Sequence, residues 1–412
     1  MLSTDVAIIG AGQAGLAVSR CLSDRAIDHL VFERDEIGSR WKTHAWDSLR
    51  LLTPNWMNAL PGSPYRGAEP DGFMPCSDFA ASLPAYAASF AAPVLTRTMV
   101  ESMAAHCGGF RIATNRGTWR ARCVVVATGQ CDQPLVPAIA RATERVATNI
   151  HSSEYRCPAA LPDGAVLVVG ASASGVQIAD ELRAAGREVV VSVGRHTRLP
   201  RTWRGRDIFW WLDRMGVLAE RTRDIADPAA AMRQPSLQLA GRPDRASVDL
   251  AALQSRGVRL AGRLVAAEGG SVAFAPDLPV NVIAAEAKMH RLLERIDTFA
   301  GVGESGCGSA RMPVLLPQST PRRLSLAAEN IRSVVWATGY RRSFPWLIAP
   351  VLGSDGELVH REGVTPVPGL FALGYRLLRK RDSNFIGGVG TDAAVLAGQI
   401  SSFLGQRGEE AA

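Results

Sequence analysis

Two short glycine turns constrain this chain more than any other feature of its sequence. The first lies in TDVAIIGAGQAGLAVSRCL. An apolar strand (Val6 to Ile9) runs through Gly10-x-Gly12-x-x-Gly15 into a helical pattern at Leu16, Val18 and Leu22. The second, LVVGASASGVQIADEL, repeats the unit: a strand from Val166 to Val169, the turn Gly170-x-Ser172-x-x-Gly175, and a helix opening with Val176 to Leu182. In such a turn the first glycine makes the bend, the middle one admits a pyrophosphate close to the backbone, and the third lets helix and strand pack tightly. The helix N-terminus then offers free N–H groups to phosphate charge. Gly10, Gly12, Gln13, Ala14 and Gly15 therefore form one candidate dinucleotide cradle. Gly170, Ser172, Ala173, Ser174 and Gly175 form a second, in which serine costs some closeness of approach but is small enough to keep the turn.

The strand after each turn separates the two. The strand HLVFE ends at Glu33, 23 residues after Gly10, where a carboxylate can hold both hydroxyls of an adenosine ribose. The same count from Gly170 reaches Val193, at the end of EVVVSV, and Gly194-Arg195 comes at once after it. A carboxylate would repel a ribose 2′-phosphate, whereas arginine pairs with it through two hydrogen bonds. The first site is expected to take FAD and the second NADPH; the competing reading of Arg195 is a solvated surface arginine. Two dinucleotides in one chain imply hydride transfer from nicotinamide to flavin, with the protein supplying orientation.

The expected fold is α/β, with two Rossmann-type dinucleotide-binding domains, the second inserted in the first. Residues 1–150 and 331–412 would make the FAD domain, and 151–330 the NADPH domain with a substrate-shaping lobe. VLTRTMVESM, which contains Val100 as a further candidate FAD contact, and GFRIATNRGTWRARCVVVATG read as a β-meander. CVVVATG closes on Ala127, Thr128 and Gly129, and SVVWATGY on Ala337, Thr338 and Gly339. Each places a small-residue turn where backbone passes near a cofactor or changes domain. GLFALG, ending at Gly374, reads as the last strand of the FAD domain, followed by a helix from about Thr391 whose N-terminus would favour negative charge on reduced flavin. Pro200 to Pro321 carries no motif. Its aromatic run TWRGRDIFWWLDRMG fits a packed lobe, a cavity wall or a membrane-surface patch, core packing being the plainest. The basic run RLLRKRD fits an exposed loop or a mouth for an acidic substrate.

Composition removes other classes. The seven cysteines, at 21, 76, 107, 123, 131, 157 and 307, stand singly, with no CxxC or CxxxxC spacing. That argues against a secreted disulfide framework and against dithiol oxidoreductases built on similar folds. The net charge of +7 rests almost wholly on arginine, since Lys42, Lys288 and Lys380 are the only lysines, and no nucleic-acid module accompanies it. No apolar run is long enough to span a bilayer, and the apolar N-terminal stretch lacks a basic leader region. The expectation is a cytoplasmic protein with no nucleic-acid partner, no stable membrane insertion and no metal; a homodimer is compatible with it.

With both turns and both ATG segments in order over nearly its whole length, the sequence resembles the class B flavin-containing monooxygenases, above all bacterial and plant members of the YUCCA type. FERDEIGSRWKTHAWDSLRLLTPNWMNALPG strengthens the likeness through its acidic residue, Trp41, SLRL, TP pair and LPG. The resemblance implies that Glu33 holds the ribose and that Arg40 and Trp41 contact FAD. The family's linker fingerprint, FxGxxxHxxxY, survives in its second half as His151 and Tyr155, while Arg145 and Ala147 replace its Phe and Gly. That ending favours N- or S-oxygenation or YUCCA-like chemistry over Baeyer–Villiger oxidation. Leu52 stands where animal-type members place an asparagine, with Asn55 and Asn58 close by. The resemblance further implies that NADPH reduces FAD, that O₂ adds at the flavin C4a position, and that a small molecule is oxygenated. No triad or carboxylate pair is expected, and His151 and Tyr155 are the weak candidates for a chemical role. Two other readings share the fold: an NADPH oxidase or flavin reductase, and a non-catalytic FAD- and NADPH-binding redox sensor.

Overall fold

A computed structural model describes residues 2–144, 147–301, 313–316 and 320–409. In chain order the first unit supplies β1 (Leu2–Ile9), α1 (Gln13–Ser23), β2 (His29–Phe32), α2 (Ser39–Thr43), α3 (Cys76–Ser89), β3 (Val94–Leu95), β4 (Val100–His106), β5 (Gly109–Thr114) and β6 (Gly117–Val126). The buried end of β1, Val6 to Ile9, is continuously apolar because it lies between two parallel neighbours and under α1. Parallel order runs β3-β2-β1-β6, and the first half of β6 also closes the antiparallel meander β4-β5-β6.

The chain then enters the second unit through β7 (Gln133–Pro134), β8 (Thr148–His151), β9 (Ala165–Val169), α4 (Ala173–Ala184), β10 (Val189–Ser192), α5 (Ile208–Arg214), β11 (Arg259–Ala261), α6 (Leu278–Phe299), β12 (Ile331–Trp336) and β13 (Tyr340–Arg341). Its sheet is wholly parallel, in the order β11-β10-β9-β12-β8. The chain returns with β14 (Leu347–Ile348), which extends the meander beside β4, then β15 (Leu370–Ala372) beside β6, and α7 (Ile386–Glu409) packed on α1. The two sheets are thus doubly wound units, the second inserted in the first.

β8 and β12 both belong to the second sheet, so the chain enters that sheet by residue 148 and leaves it after 336, a few residues from the expected bounds of 150 and 330. Val334, Val335 and Trp336 are fully or almost fully buried, and a buried apolar run carries no mark of which sheet it will join. The two crossing segments pair with each other, β7 antiparallel to β13, and Leu135 N–H donates to Gly339 O at 2.9 Å.

Helix α7 starts at Ile386, five residues before the expected Thr391. The glycines at its start serve packing instead of ending a loop. A Cβ on Gly387 would lie 2.2 Å from Met57 O, and one on Gly388 1.9 Å from Asp382 O. In the lobe, Trp203, Phe209, Trp211 and Leu212 pack with Met289, Leu293 and Ile296 of α6, so the aromatic run is chiefly core. Among the described residues no helix is long and apolar enough to cross a membrane.

Candidate active site

The two glycine turns share one geometry. Gly10 has φ +108° and Gly170 φ +114°, a region that disfavours side chains, and each faces the segment leaving a neighbouring strand. A Cβ on Gly10 would lie 2.7 Å from Ala127 O, and one on Gly170 2.4 Å from Ala337 O. Gly15 and Gly175 press on Gly10 O and Gly170 O, where a Cβ would stand at 1.8 and 1.9 Å. The middle position differs in kind. Gly12 is extended (φ −81°, ψ −172°) and a Cβ there would meet nothing within 4 Å. Ser172 adopts nearly the same backbone (φ −87°, ψ −168°), so serine replaces the middle glycine without strain. Neither α1 nor α4 is capped by its own N-cap side chain or carries a first-turn carboxylate. At α4 Ala173 N–H makes one long hydrogen bond, 3.4 Å to Ser236 Oγ, and the other N–H groups of the first turns are available to a phosphate.

Both turns border one cavity of about 1480 Å³. On the first side it is lined by Gly10, Gly12, Gln13, Ala14, Glu33, Arg40, Trp41, Val100, Ala127, Thr128, Gly129 and Gly374; Gly15 is spent on packing behind them. The Glu33 carboxylate is aimed by two backbone donors, Ala11 N–H to Oε2 at 2.7 Å and Asp35 N–H to Oε1 at 3.0 Å. Trp41 Nε1–H donates to Gln13 Oε1 at 2.9 Å and its ring meets Phe79 edge-on, so α2 is drawn onto the start of α1. Arg40 pairs with Asp132 Oδ1 at 2.9 Å and also donates to Asp132 O. Gly374 (φ +81°) sits where a Cβ would stand 2.6 Å from Ala14 Cβ. Beside it Tyr375 shares a 3.2 Å hydrogen bond with Thr128, and burial pushes its phenol up to about 12.

On the second side the cavity touches Ala173, Ser174, Gln177, Thr197 and Arg198. Gly170, Ser172 and Gly175 form the turn behind that wall, packed on Ala337, and Arg195, exposed after β10, is not among the lining residues. Thr338 and Gly339 face the paired crossing segments, Thr338 Oγ1–H donating to Leu135 O.

His151 and Tyr155 do not reach the cavity. His151 is buried, and its Nε2–H donates to Gly339 O at 2.9 Å, which leaves Nδ1 to accept from Ser153 N–H at 3.1 Å. Burial lowers its pKa and keeps the ring neutral. Tyr155, fully buried, donates to Glu181 Oε2 at 3.1 Å, and burial holds its phenol well above the ordinary value. His151 thus ties the returning crossing at Gly339, while Tyr155 ties the chain after β8 to α4 within the inserted unit. Ala147, just before β8, is half-buried, and Arg145 lies outside the described residues. Leu52 lines the cavity, whereas Asn55 holds Met74 N–H and Glu69 O, and Asn58 holds Thr53.

The cavity extends into the lobe as an apolar chamber walled by Phe209, Leu212, Met289, Leu292 and Phe385, with Arg376, Arg381, Glu220 and Asn384 among its polar lining. The aromatic and basic runs supply Phe209, Leu212, Arg376 and Arg381, whereas the α6 wall, Phe385, Glu220 and Asn384 escaped sequence reasoning. Part of the signal was present. Leu278, Val282, Ala285, Met289, Leu293 and Ile296, buried along α6, recur at helical spacing. No disulfide joins the six described cysteines, of which Cys76 and Cys131 border the cavity; Cys307 lies outside the described residues.

Two phosphate-ready turns on one cavity define a flavoprotein oxidoreductase that also uses a pyridine nucleotide. The profile of the pyridine nucleotide-disulphide oxidoreductase family matches residues 7–203. An uncharacterized CzcO-like oxidoreductase of Geobacillus kaustophilus is 31% identical over 399 residues, 96% of this chain and 98% of its own length. Indole-3-pyruvate monooxygenase YUCCA1 of Oryza sativa subsp. japonica is 28% identical over 391 residues, 89% of this chain and 86% of its own. Among solved structures, a flavin-containing monooxygenase from Stenotrophomonas maltophilia superposes with TM-score 0.67 at 20% identity, covering 98% of this chain and all of that one. The chain belongs to the CzcO-like oxidoreductase family; it is an enzyme of that oxidoreductase class, and its fold is class B flavin monooxygenase-like.

Proposed function

We propose that the protein is an NADPH- and O₂-dependent flavoprotein monooxygenase that oxygenates a small organic molecule, by N- or S-oxygenation or YUCCA-like oxidation. The observation that carries this reading is the continuity of the cavity. It runs from Glu33 and the first turn, past Ala173 and Ser174 of the second, into the apolar chamber of the lobe.

The residues present fit the two dinucleotides. The open side of Gly12 leaves room for a pyrophosphate against the uncapped α1, and Glu33, aimed by Ala11 and Asp35, suits the adenosine ribose of FAD. Gln13, Ala14, Arg40, Trp41, Val100, Ala127, Thr128, Gly129 and Gly374 complete the FAD wall. At the second site Ala173 and Ser174 open the uncapped α4, and exposed Arg195 can reach a 2′-phosphate, which favours NADPH over NADH. FAD, when bound, supplies hydride acceptance and oxygen activation. The chain's part is to hold both dinucleotides on one cavity and to keep water from the reacting end with Phe209, Leu212, Met289 and Phe385. Neutral, buried His151 takes no part beyond holding the crossing at Gly339.

The test is coupling. FAD-loaded protein is supplied with NADPH and air, and NADPH loss, hydrogen peroxide and product are measured against a panel of amines, sulfides and 2-oxo acids. The proposal expects at least one class to replace peroxide with oxygenated product. Stoichiometric peroxide with every class overturns it in favour of an oxidase.

A further inference from the structure

The lobe end of the cavity carries positive charge that the chain does not neutralise. Arg376, two residues after Gly374, is half-buried in the cavity wall. Its Nη1 donates to Gln234 O at 2.6 Å and its Nη2 to Ala231 O at 3.1 Å, so the guanidinium is fixed by two neutral carbonyls. Arg198 and Arg40, on the same cavity, are each paired with carboxylates, Asp249 and Glu286 for the first and Asp132 for the second. Among the described residues none forms an ion pair with Arg376. Glu220 is engaged by Arg381, which bears on Arg376 with charge of the same sign. A partly desolvated cation with unused donors is stabilised when an anion completes it.

The surroundings describe the rest of that anion. The chain after Arg376 docks on the lobe, with Thr222 N–H donating to Arg379 O at 2.8 Å and Asp382 N–H to Leu218 O at 3.2 Å. This places Arg376 in the corner where the first unit meets the chamber. Leu218 and Leu377 border the cavity there, and the Phe385 ring stands edge-on to Phe209 at 5.8 Å. The phosphates of a dinucleotide have their own donors at the uncapped start of α4.

We propose that Arg376 is the anion receptor of the substrate chamber and selects small apolar molecules that carry a carboxylate. The inference rests on the reading that the lobe end holds substrate.

The experiment measures binding to the FAD-loaded protein, using indole-3-acetate and phenylacetate against indole-3-acetamide and phenylacetamide, with NADP⁺ as a third ligand. The wild type is expected to bind each acid about tenfold or more tightly than its amide, the scale of one charge-assisted hydrogen bond. Arg376→Gln should abolish that preference and leave the amides and NADP⁺ unchanged, and Arg376→Lys should restore part of it. No acid preference in the wild type overturns the proposal, and so does a preference that survives Arg376→Gln. Loss of NADP⁺ affinity with acid binding intact also overturns it, by assigning the charge to the dinucleotide. If Arg376→Gln does not fold, the wild-type comparison and Arg376→Lys decide. Because the readout is binding, uncoupled turnover would count against the monooxygenase reading without altering this result.

Discussion

Arg201 of the inserted unit donates a 2.8 Å hydrogen bond from Nη1 to the carbonyl of Leu52, a cavity residue of the first unit. The arginine is 0% exposed and lies between the rings of Phe73 and Phe209, at 4.7 and 5.3 Å from their centroids. Its Nη2 pairs with Asp207 Oδ1 at 2.6 Å, and that same oxygen caps α5 by accepting from Phe209 N–H at 2.8 Å. One buried cation therefore holds the Leu52 wall, the α5 wall and the lobe in register.

Replacing Arg201 with alanine leaves Asp207 buried without its partner, for which about 3–5 kcal/mol of destabilisation is expected. Urea denaturation measures it. Arg201→Met combined with Asp207→Asn should recover part of the loss, and a change below about 1 kcal/mol would mean that the pair contributes little beyond an ordinary surface ion pair.

Gly15 and Gly12 should respond in opposite ways to alanine. At Gly15 the new Cβ would stand 1.8 Å from Gly10 O, so the helix must move, at a cost of about 1–3 kcal/mol or more. At Gly12 the Cβ meets no protein atom, so Gly12→Ala should fold with near-wild-type stability yet retain less FAD. Thermal melts and the flavin content of purified protein separate the two effects.

Glu33→Ala should weaken FAD retention by roughly ten- to a hundredfold, the scale of losing hydrogen bonds to a charged acceptor, and Glu33→Gln by less. Flavin release on dilution, followed by fluorescence, reads this directly. Unchanged retention in both variants would remove Glu33 from the ribose.

Arg195→Ala should raise the Kd for NADPH by about tenfold or more while leaving NADH nearly unaffected, since only the former carries a 2′-phosphate to pair with. Equal losses for the two nucleotides would sink the assignment.

Burial lowers the pKa of His29, His44, His151, His196 and His360 below the ordinary 6.5. The unfolded chain then binds more protons than the folded one just below that pH. The stability these rings contribute is full above about pH 6.5 and is lost as the pH falls through that value. Denaturation midpoints should drop between pH 7.5 and 5.5, and His151→Gln should shrink the drop.

How much is legible in the sequence depends on the range of each interaction. Both turns, their helices and the Glu33 and Arg195 positions can be read because a glycine's dihedral freedom, a helix period and a 23-residue strand–helix–strand count are local properties. The start of α7 is not legible, because Gly387 answers to Met57 across the fold and Gly388 to Asp382 in the turn just before the helix. Nor is the unit that β12 joins, because a buried parallel strand looks alike in either sheet.

By itself, then, the sequence determined that two dinucleotide turns would form and how they would differ. Tertiary structure alone decided what they share: one cavity, a crossing locked by His151 on Gly339 across 188 positions, and a wall set by Arg201 on Leu52 across 149. Such contacts depend on which buried surfaces meet when the chain closes, and no pattern in a short window records that.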